Sequence, residues 1–303
     1  MTSDLAASVR QRLLNLAKAT HRPFIEVLRY YGMERFLYRL SVSPYADKFV
    51  LKGGLMLQVW QGGSARPTMD VDFLGRLDRS ADAIRDALRS VCRQDVEPDG
   101  LVFDAASMKV QSIIEDAIYS GIRSSFRSNL GKTQIAIRID TGFGDIVIGA
   151  PREPQPYPTL LAMPAPVLLG YSRESTIAEK LQIMAKLGLA NSRVKDYFDM
   201  WSLARQFDFD GEVLAEAMRQ TFAQRRTELP RQVDGLTDAY ASQPERVQQW
   251  RSFVERNRLT EAPMELGVVV SQLLSFLEPL IQATASGEMF SAVWRAPGPW
   301  QRA

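Results

Sequence analysis

Apolar positions near the start of the chain recur three and four residues apart, at Leu5, Val9, Leu13 and Leu16, which predicts a helix capped near Ser3-Asp4. Pro23 breaks the pattern, and a second helix is predicted from Phe24 to Leu40, ended by Ser43-Pro44. Its segment Arg35 to Arg39 mixes aromatics with arginine, which fits a helix laid over a sheet better than one in direct contact with nucleic acid. The period then shortens. Phe49-Val50-Leu51 reads as a strand, Lys52-Gly53-Gly54 as a turn, and Leu55 to Trp60 as a short apolar helix. Thr68 to Phe73 alternates as a strand, with Thr68, Asp70 and Asp72 on one face. Ile84, Leu88 and Val91 mark a helix within 78–96. Leu101-Val102-Phe103 reads as a short strand, and Val110 to Tyr119 fits either strand or helix. Gly121-Ile122-Arg123 leads through a polar loop to Gln134–Asp140. There Ile135, Ile137 and Ile139 face one way and Ala136, Arg138 and Asp140 the other.

Prolines at 151, 154, 156, 158, 164 and 166 predict an extended connector. Helical patterns follow at Ser175–Met184, Asn191–Trp201 and Met264–Ala283. The expected architecture is α+β: a mixed sheet with flanking helices over residues 1–150, a connector over 151–170, and a mainly helical domain over 171–303.

Composition narrows the chemistry. Of 303 residues, 46% are apolar and 24% charged, ordinary values for a chain with a sizeable core. A net charge of +2 excludes a strongly basic coat and leaves room for a local basic patch. The basic residues Arg225, Arg226, Arg231, Arg251, Arg256 and Arg258 either form such a face for RNA or a solvated surface. Cys92 is the single cysteine, so no internal disulfide forms, which suits a reducing cytoplasm. His21 is the single histidine, so a metal site would rest on carboxylates. No charged-then-apolar leader and no uninterrupted apolar span is present, so the expectation is a soluble, cytoplasmic protein.

Candidate chemistry concentrates in Phe49–Leu74. Two carboxylates on one strand face, roughly 6–7 Å apart, repel unless a cation lies between them, and magnesium takes such hard oxygen ligands. Gly53 and Gly54 would let backbone N–H groups approach a phosphate at a helix start. Strand, Gly-Gly, helix and then Asp-x-Asp resembles the nucleotidyltransferase superfamily pattern. In polymerase-like members of that superfamily a third carboxylate on a neighbouring strand completes the metal site. Asp140 is the candidate, or else it caps the glycine-rich turn after it. Thr68 could bond a triphosphate, and Arg66 either pairs with the same charge or lies in water. Lys180, on an apolar face with Ile177, Leu181 and Met184, either snorkels or reaches a triphosphate. Asp196 and Asp199 are neighbours on one helix face.

Five motifs in order make a more specific resemblance: FVLKGG at Phe49–Gly54, RPTMDVDF at Arg66–Phe73, RIDTGFGD at Arg138–Asp145, IAEKLQIM at Ile177–Met184 and NSRVKDYFDMW at Asn191–Trp201. Together they resemble the AbiEii/AbiGii toxins, a family that includes the MenT-like toxins. The resemblance implies a polymerase-beta-like fold and the toxin of a type IV toxin–antitoxin, or abortive-infection, pair. It implies a Mg²⁺- or Mn²⁺-dependent enzyme that moves a nucleotide from an NTP to the 3′ end of tRNA, with a cognate antitoxin, a transcriptional regulator, as partner. Family catalytic positions carry over to Thr68, Asp70 and Asp72, to Lys180 and to Asp199. Thr68 stands where the family often has serine and keeps the hydroxyl. Two other expectations stay open beside this one: transfer onto protein, including the chain itself, and a nucleotide-binding antitoxin partner without transfer activity.

Overall fold

The computed structural model describes residues 2–62, 65–115, 119–149 and 154–302. They group into two units, Met1–Gly144 with Pro151–Tyr171, and Asp145–Ala150 with Ser172–Ala303.

The first unit is an α+β layer structure. Helices α1 (Thr2–Ala19) and α2 (Phe24–Ser41) lead in, with Pro23 as the N-cap of α2. Ser3 and Asp4 lie inside the first turn of α1 rather than at its cap. Strand β1 (Phe49–Lys52), helix α3 (Gly54–Gln61) and strand β2 (Val71–Gly75) form the central stretch. Helix α4 (Ala81–Cys92) is capped by Ser80, whose hydroxyl accepts from the Ala83 N–H at 3.2 Å. Strands β3 (Leu101–Glu115), β4 (Tyr119–Leu130) and β5 (Thr133–Phe143) complete a five-stranded mixed sheet, in the order β1-β2-β5-β4-β3. The β2–β5 pair is parallel and the other pairs are antiparallel.

Ile135, Ile137 and Ile139 bury one face of this sheet against α2, and Phe36 meets Phe126 and Phe103 at centroid distances of 5.5 and 6.0 Å. The other face presents Arg138 and Gln134 to water. Two expectations change here. The short strand at 101–103 is the start of a 15-residue strand, because β4 pairs with it on both sides of a register shift between Asp104 and Lys109. The expected polar loop after Arg123 is strand: Ser124 and Ser128 are buried while Arg127 points out. Serine hid that alternation. Of the stretch Val110–Tyr119, residues 116–118 lie outside the described residues.

The proline-rich stretch packs with this unit. Strands β6 (Gln155–Pro156) and β7 (Val167–Leu168) pair, and Leu51 bonds Leu169 and Tyr171 across the outer edge of β1. A buried charge cluster ties the stretch to α2. Arg39 pairs with Asp99 at 2.6 Å, Arg35 donates to the Pro164 carbonyl, and Glu34 accepts from the Leu160 N–H. Glu34 Oε1 and Arg35 Nε, both buried, face each other at 3.5 Å without a hydrogen bond. Burial pushes the Glu34 carboxyl up to about 7, against the pull of the Leu160 N–H and Arg35.

The second unit is mainly helical: α5 (Arg173–Leu187), α6 (Val194–Gln206), α7 (Gly211–Gln224), α8 (Asp238–Ala241), α9 (Pro244–Asn257) and α10 (Leu266–Ser286). It also holds a small antiparallel sheet that the pattern did not announce, β8 (Phe209–Asp210) with β9 (Ala292–Trp294) and β10 (Trp300–Arg302). Helix α10 is long and apolar enough to cross a membrane by length and composition alone. Its residues Val269, Leu273, Phe276, Leu277 and Leu280 are buried within the unit. The tail docks: Trp294 donates to the Ala204 carbonyl and Trp300 to that of Phe276, with the Trp300 and Phe276 rings stacked at 5.7 Å. Arg225, read from the sequence as part of a basic face or of a solvated surface, instead has a buried side chain that pairs with Asp145 and Glu179 at 3.0 and 3.2 Å.

Candidate active site

The turn after β1 dictates what can stand near it. Gly53 has φ 67 and ψ −150, a region open essentially to glycine alone. A Cβ there would strike the Asp72 carboxylate, whose Cγ would lie 2.8 Å away. A Cβ on Gly54 would stand 2.7 Å from Thr68 Cβ and 2.8 Å from its Oγ1. The two glycines therefore exist so that Asp72 and Thr68 can lie directly on the backbone. Gly54 also opens α3, whose first turn carries no acidic side chain, so its N–H groups and dipole suit an anion.

Thr68 and Asp70 precede β2 rather than belonging to it, since the strand starts at Val71. A side chain from another element holds their loop. The Thr68 N–H donates to the Tyr30 hydroxyl at 2.8 Å. Tyr30 is 4% exposed, and Arg22 lies 4.6 Å over its ring while pairing with Glu26. Burial raises the Tyr30 hydroxyl above its ordinary value, more than the Thr68 N–H and Arg22 lower it, so it stays a neutral hydroxyl. Arg66 is buried rather than solvated, and its guanidinium donates to the Pro67 carbonyl at 3.3 Å.

A polar row crosses all five strands. Lys52 faces Asp72, Asp72 faces Asp140, Asp140 faces Arg123 and Arg123 faces Gln111. Paired residues lie on the same side of a sheet, so this is one row on one face. Arg123 grips Asp140 with both arms, Nε to Oδ1 at 2.8 Å and a terminal nitrogen to Oδ2 at 2.7 Å. A charge-assisted fork of this kind is worth about 1.5–3 kcal/mol. Asp70 meets Arg138 at 3.5 Å, with both side chains well exposed. Such a pair is worth about 0–1 kcal/mol. Arg138 and Asp140 share a face of β5, so Asp70 and Asp72 lie on the same side of the sheet.

The second unit carries Lys180 and Asp199 and brings them together. Lys180 Nζ lies 2.5 Å from Asp196 Oδ1 and 2.8 Å from Asp199 Oδ2. Arg193 also binds Asp196, at 2.6 Å. The two carboxylates are buried and Lys180 is nearly so. Burial alone would raise the Asp196 carboxyl, but Lys180 and Arg193 overcome it and hold the group well below the usual carboxylate range. Lys180 thus neither snorkels nor stands alone.

Tyr30 and Arg123 were not singled out from the sequence, whereas Asp196 was named there beside Asp199. One signal existed for Arg123: the β4–β5 hairpin is symmetric about Gly131-Lys132, which puts Arg123 opposite Asp140. None existed for Tyr30, which is 38 residues from Thr68.

A Gly-Gly turn lying against a hydroxyl and a carboxylate, beside a mixed sheet, is an arrangement that suits nucleotidyl transfer. The family described as the nucleotidyl transferase AbiEii toxin of type IV toxin–antitoxin systems matches residues 35–273, and the chain belongs to it. Among curated proteins none matches. Two crystal structures are similar. One is of a candidate nucleotidyltransferase from H. pylori, at 14% identity and TM-score 0.44, covering 86% of this chain and 95% of that one. The other is JHP933 from Helicobacter pylori, at 15% identity and TM-score 0.44, covering 86% and 94%.

Proposed function

We propose that this nucleotidyltransferase toxin moves a nucleotide from an NTP to the 3′ end of tRNA, with Asp70 and Asp72 holding Mg²⁺ or Mn²⁺. The observation that carries the reading is the contact of Gly53 and Gly54 with Asp72 and Thr68, which puts a phosphate cradle against a carboxylate. The donor set suits the ion. Among the described residues no three His, Cys, Asp or Glu side chains gather to hold a metal alone. Magnesium commonly binds through one or two carboxylates and completes its shell with water and substrate phosphate. When bound, the ion would polarise the α-phosphate and neutralise the departing pyrophosphate.

The chain's own groups do the rest. N–H groups at the start of α3 receive triphosphate oxygens, the Thr68 hydroxyl donates to them, and Arg66 supports that loop with positive charge. The acceptor hydroxyl attacks the α-phosphorus and gives its proton to solvent, and the bond from the α-phosphorus to the bridging oxygen breaks, releasing pyrophosphate. The family motif also carries catalytic positions over to Lys180 and Asp199, and within their own unit Asp199 orients the Lys180 ammonium. Catalysis is chiefly placement and charge neutralisation. The acceptor and the NTP pool place the activity in the cytoplasm, and the partner is a cognate antitoxin acting as a transcriptional regulator.

The test is incubation with each labelled NTP, Mg²⁺ and total tRNA. We expect label on RNA with at least one nucleotide. Label on the protein instead would replace tRNA by a protein acceptor. No label on either, from folded protein, would remove the transfer reading.

A further inference from the structure

Asp140 stands where a third metal ligand would stand, beside Asp72 on the neighbouring parallel strand. Both of its oxygens are occupied by one guanidinium, at 2.8 and 2.7 Å. The Asp140 side chain is 12% exposed and that of Arg123 34%. The hairpin sets these two residues directly opposite each other, so the fork is aligned before any ligand arrives. Arginine keeps its charge at every working pH, and its planar donors match a carboxylate. The contact between Arg138 and Asp70 is different in kind: one nitrogen at 3.5 Å, with side chains 50% and 36% exposed. Water screens it, and an incoming ion displaces it readily.

We infer that Arg123 takes the place of a second metal ion, so that the site binds a single divalent cation on Asp70 and Asp72. This inference rests on the proposed reading of those two carboxylates as a metal pair. The row Lys52, Asp72, Asp140, Arg123, Gln111 is already neutral, two cations against two anions. One divalent ion adds its two charges where Asp70 supplies a further negative one. A second ion would have to break the Arg123 fork and leave a guanidinium beside two metals, which like-charge repulsion opposes. In this arrangement Arg123 is a positioning residue: it fixes Asp140, and Asp140 keeps the negative edge of Asp72 turned toward one ion.

The test is titration of the full chain with Mn²⁺ alone, following free Mn²⁺ by electron paramagnetic resonance. We expect one Mn²⁺ per chain, lost in Asp70→Asn. Arg123→Gln should raise the number to two, because it releases Asp140 next to Asp72. The double variant Arg123→Gln with Asp140→Asn, which keeps the row neutral, should return it to one at an affinity within a few-fold of the unmodified chain. Two ions on the unmodified chain would overturn the inference. So would one ion on Arg123→Gln, or loss of Mn²⁺ from the double variant, which would make Asp140 a ligand. No Mn²⁺ on the unmodified chain would instead remove the metal reading of Asp70 and Asp72, and the inference with it.

Discussion

Two constellations of acid and base, one in each unit, make opposite use of the same residue types. Around Asp70 the charges are open: its contact to Arg138 spans 3.5 Å, with both side chains well exposed. Around Lys180 they are closed: contacts of 2.5 and 2.8 Å to two buried aspartates, and Arg193 on one of them. An open pair costs little to rearrange, so a ligand can enter. A closed one is strongly held only while every member is present, because removing one leaves a buried charge uncompensated. The difference teaches that carboxylates of the same motif set can be held very differently by the cations around them.

The largest effect should come from the open site. Asp70→Asn or Asp72→Asn should lower nucleotide transfer by about 10²–10³-fold or more, the scale of a lost transition-state contact. For Asp70→Asn the melting temperature should hardly move, as for surface changes of about 0.5 kcal/mol or less. A variant that still transfers would place the reaction elsewhere.

Stability should show the reverse ranking. Lys180→Met should destabilise its unit by about 3–5 kcal/mol, whereas Arg138→Gln should change stability by about 0–1 kcal/mol. Urea midpoints decide it, and similar shifts for both would erase the distinction between open and closed. The Asp196 carboxyl is held below its unfolded value. Its contribution is therefore present at pH above the ordinary carboxylate range and lost as pH falls through the lower folded value.

Glu34 sharpens the contrast as a carboxylate that is buried but poorly paired. Its folded value of about 7 lies above its ordinary 4.5. Its contribution is thus fully present below about pH 4.5 and lost as pH rises through about 7, a change of about 3 kcal/mol. Between pH 5 and 8, Glu34→Gln should flatten the fall in melting temperature seen in the unmodified chain. Equal slopes would show that Glu34 is ionised throughout.

The smallest effect concerns the loop. Tyr30→Phe removes the acceptor of the Thr68 N–H, worth about 1 kcal/mol. We expect a rise of several-fold in KM for the NTP with kcat nearly unchanged. A fall in kcat alone would mean that Tyr30 acts on the chemistry rather than on the position of Thr68.

Much of this was legible in the chain. Periods of three to four placed α1, α2, α4 and α5, and the alternation of Ile135, Ile137 and Ile139 placed β5. Lys52-Gly53-Gly54 announced a strand, a turn and a helix, and that is what stands there. Where polar residues of small size filled inward positions, as Ser124 and Ser128 do in β4, the pattern failed, because binary alternation cannot distinguish a buried serine from a loop serine. The sheet of β8, β9 and β10 was invisible for another reason: two- and three-residue strands are too short to show a period.

Local physics determined which residues this protein offers for chemistry: the glycines that admit close approach, the hydroxyl of Thr68, and the carboxylates at 70, 72, 140, 196 and 199. Only the tertiary structure decided which of them are already held. Arg123 closes on Asp140 through strand register, Lys180 on Asp196 and Asp199 through helix packing, and Tyr30 on the Thr68 backbone through a helix laid beside the loop. Periodicity reports which face a residue occupies. The electrostatic state of a side chain depends on partners tens of residues away, and pairing between distant segments exists only once the chain has folded.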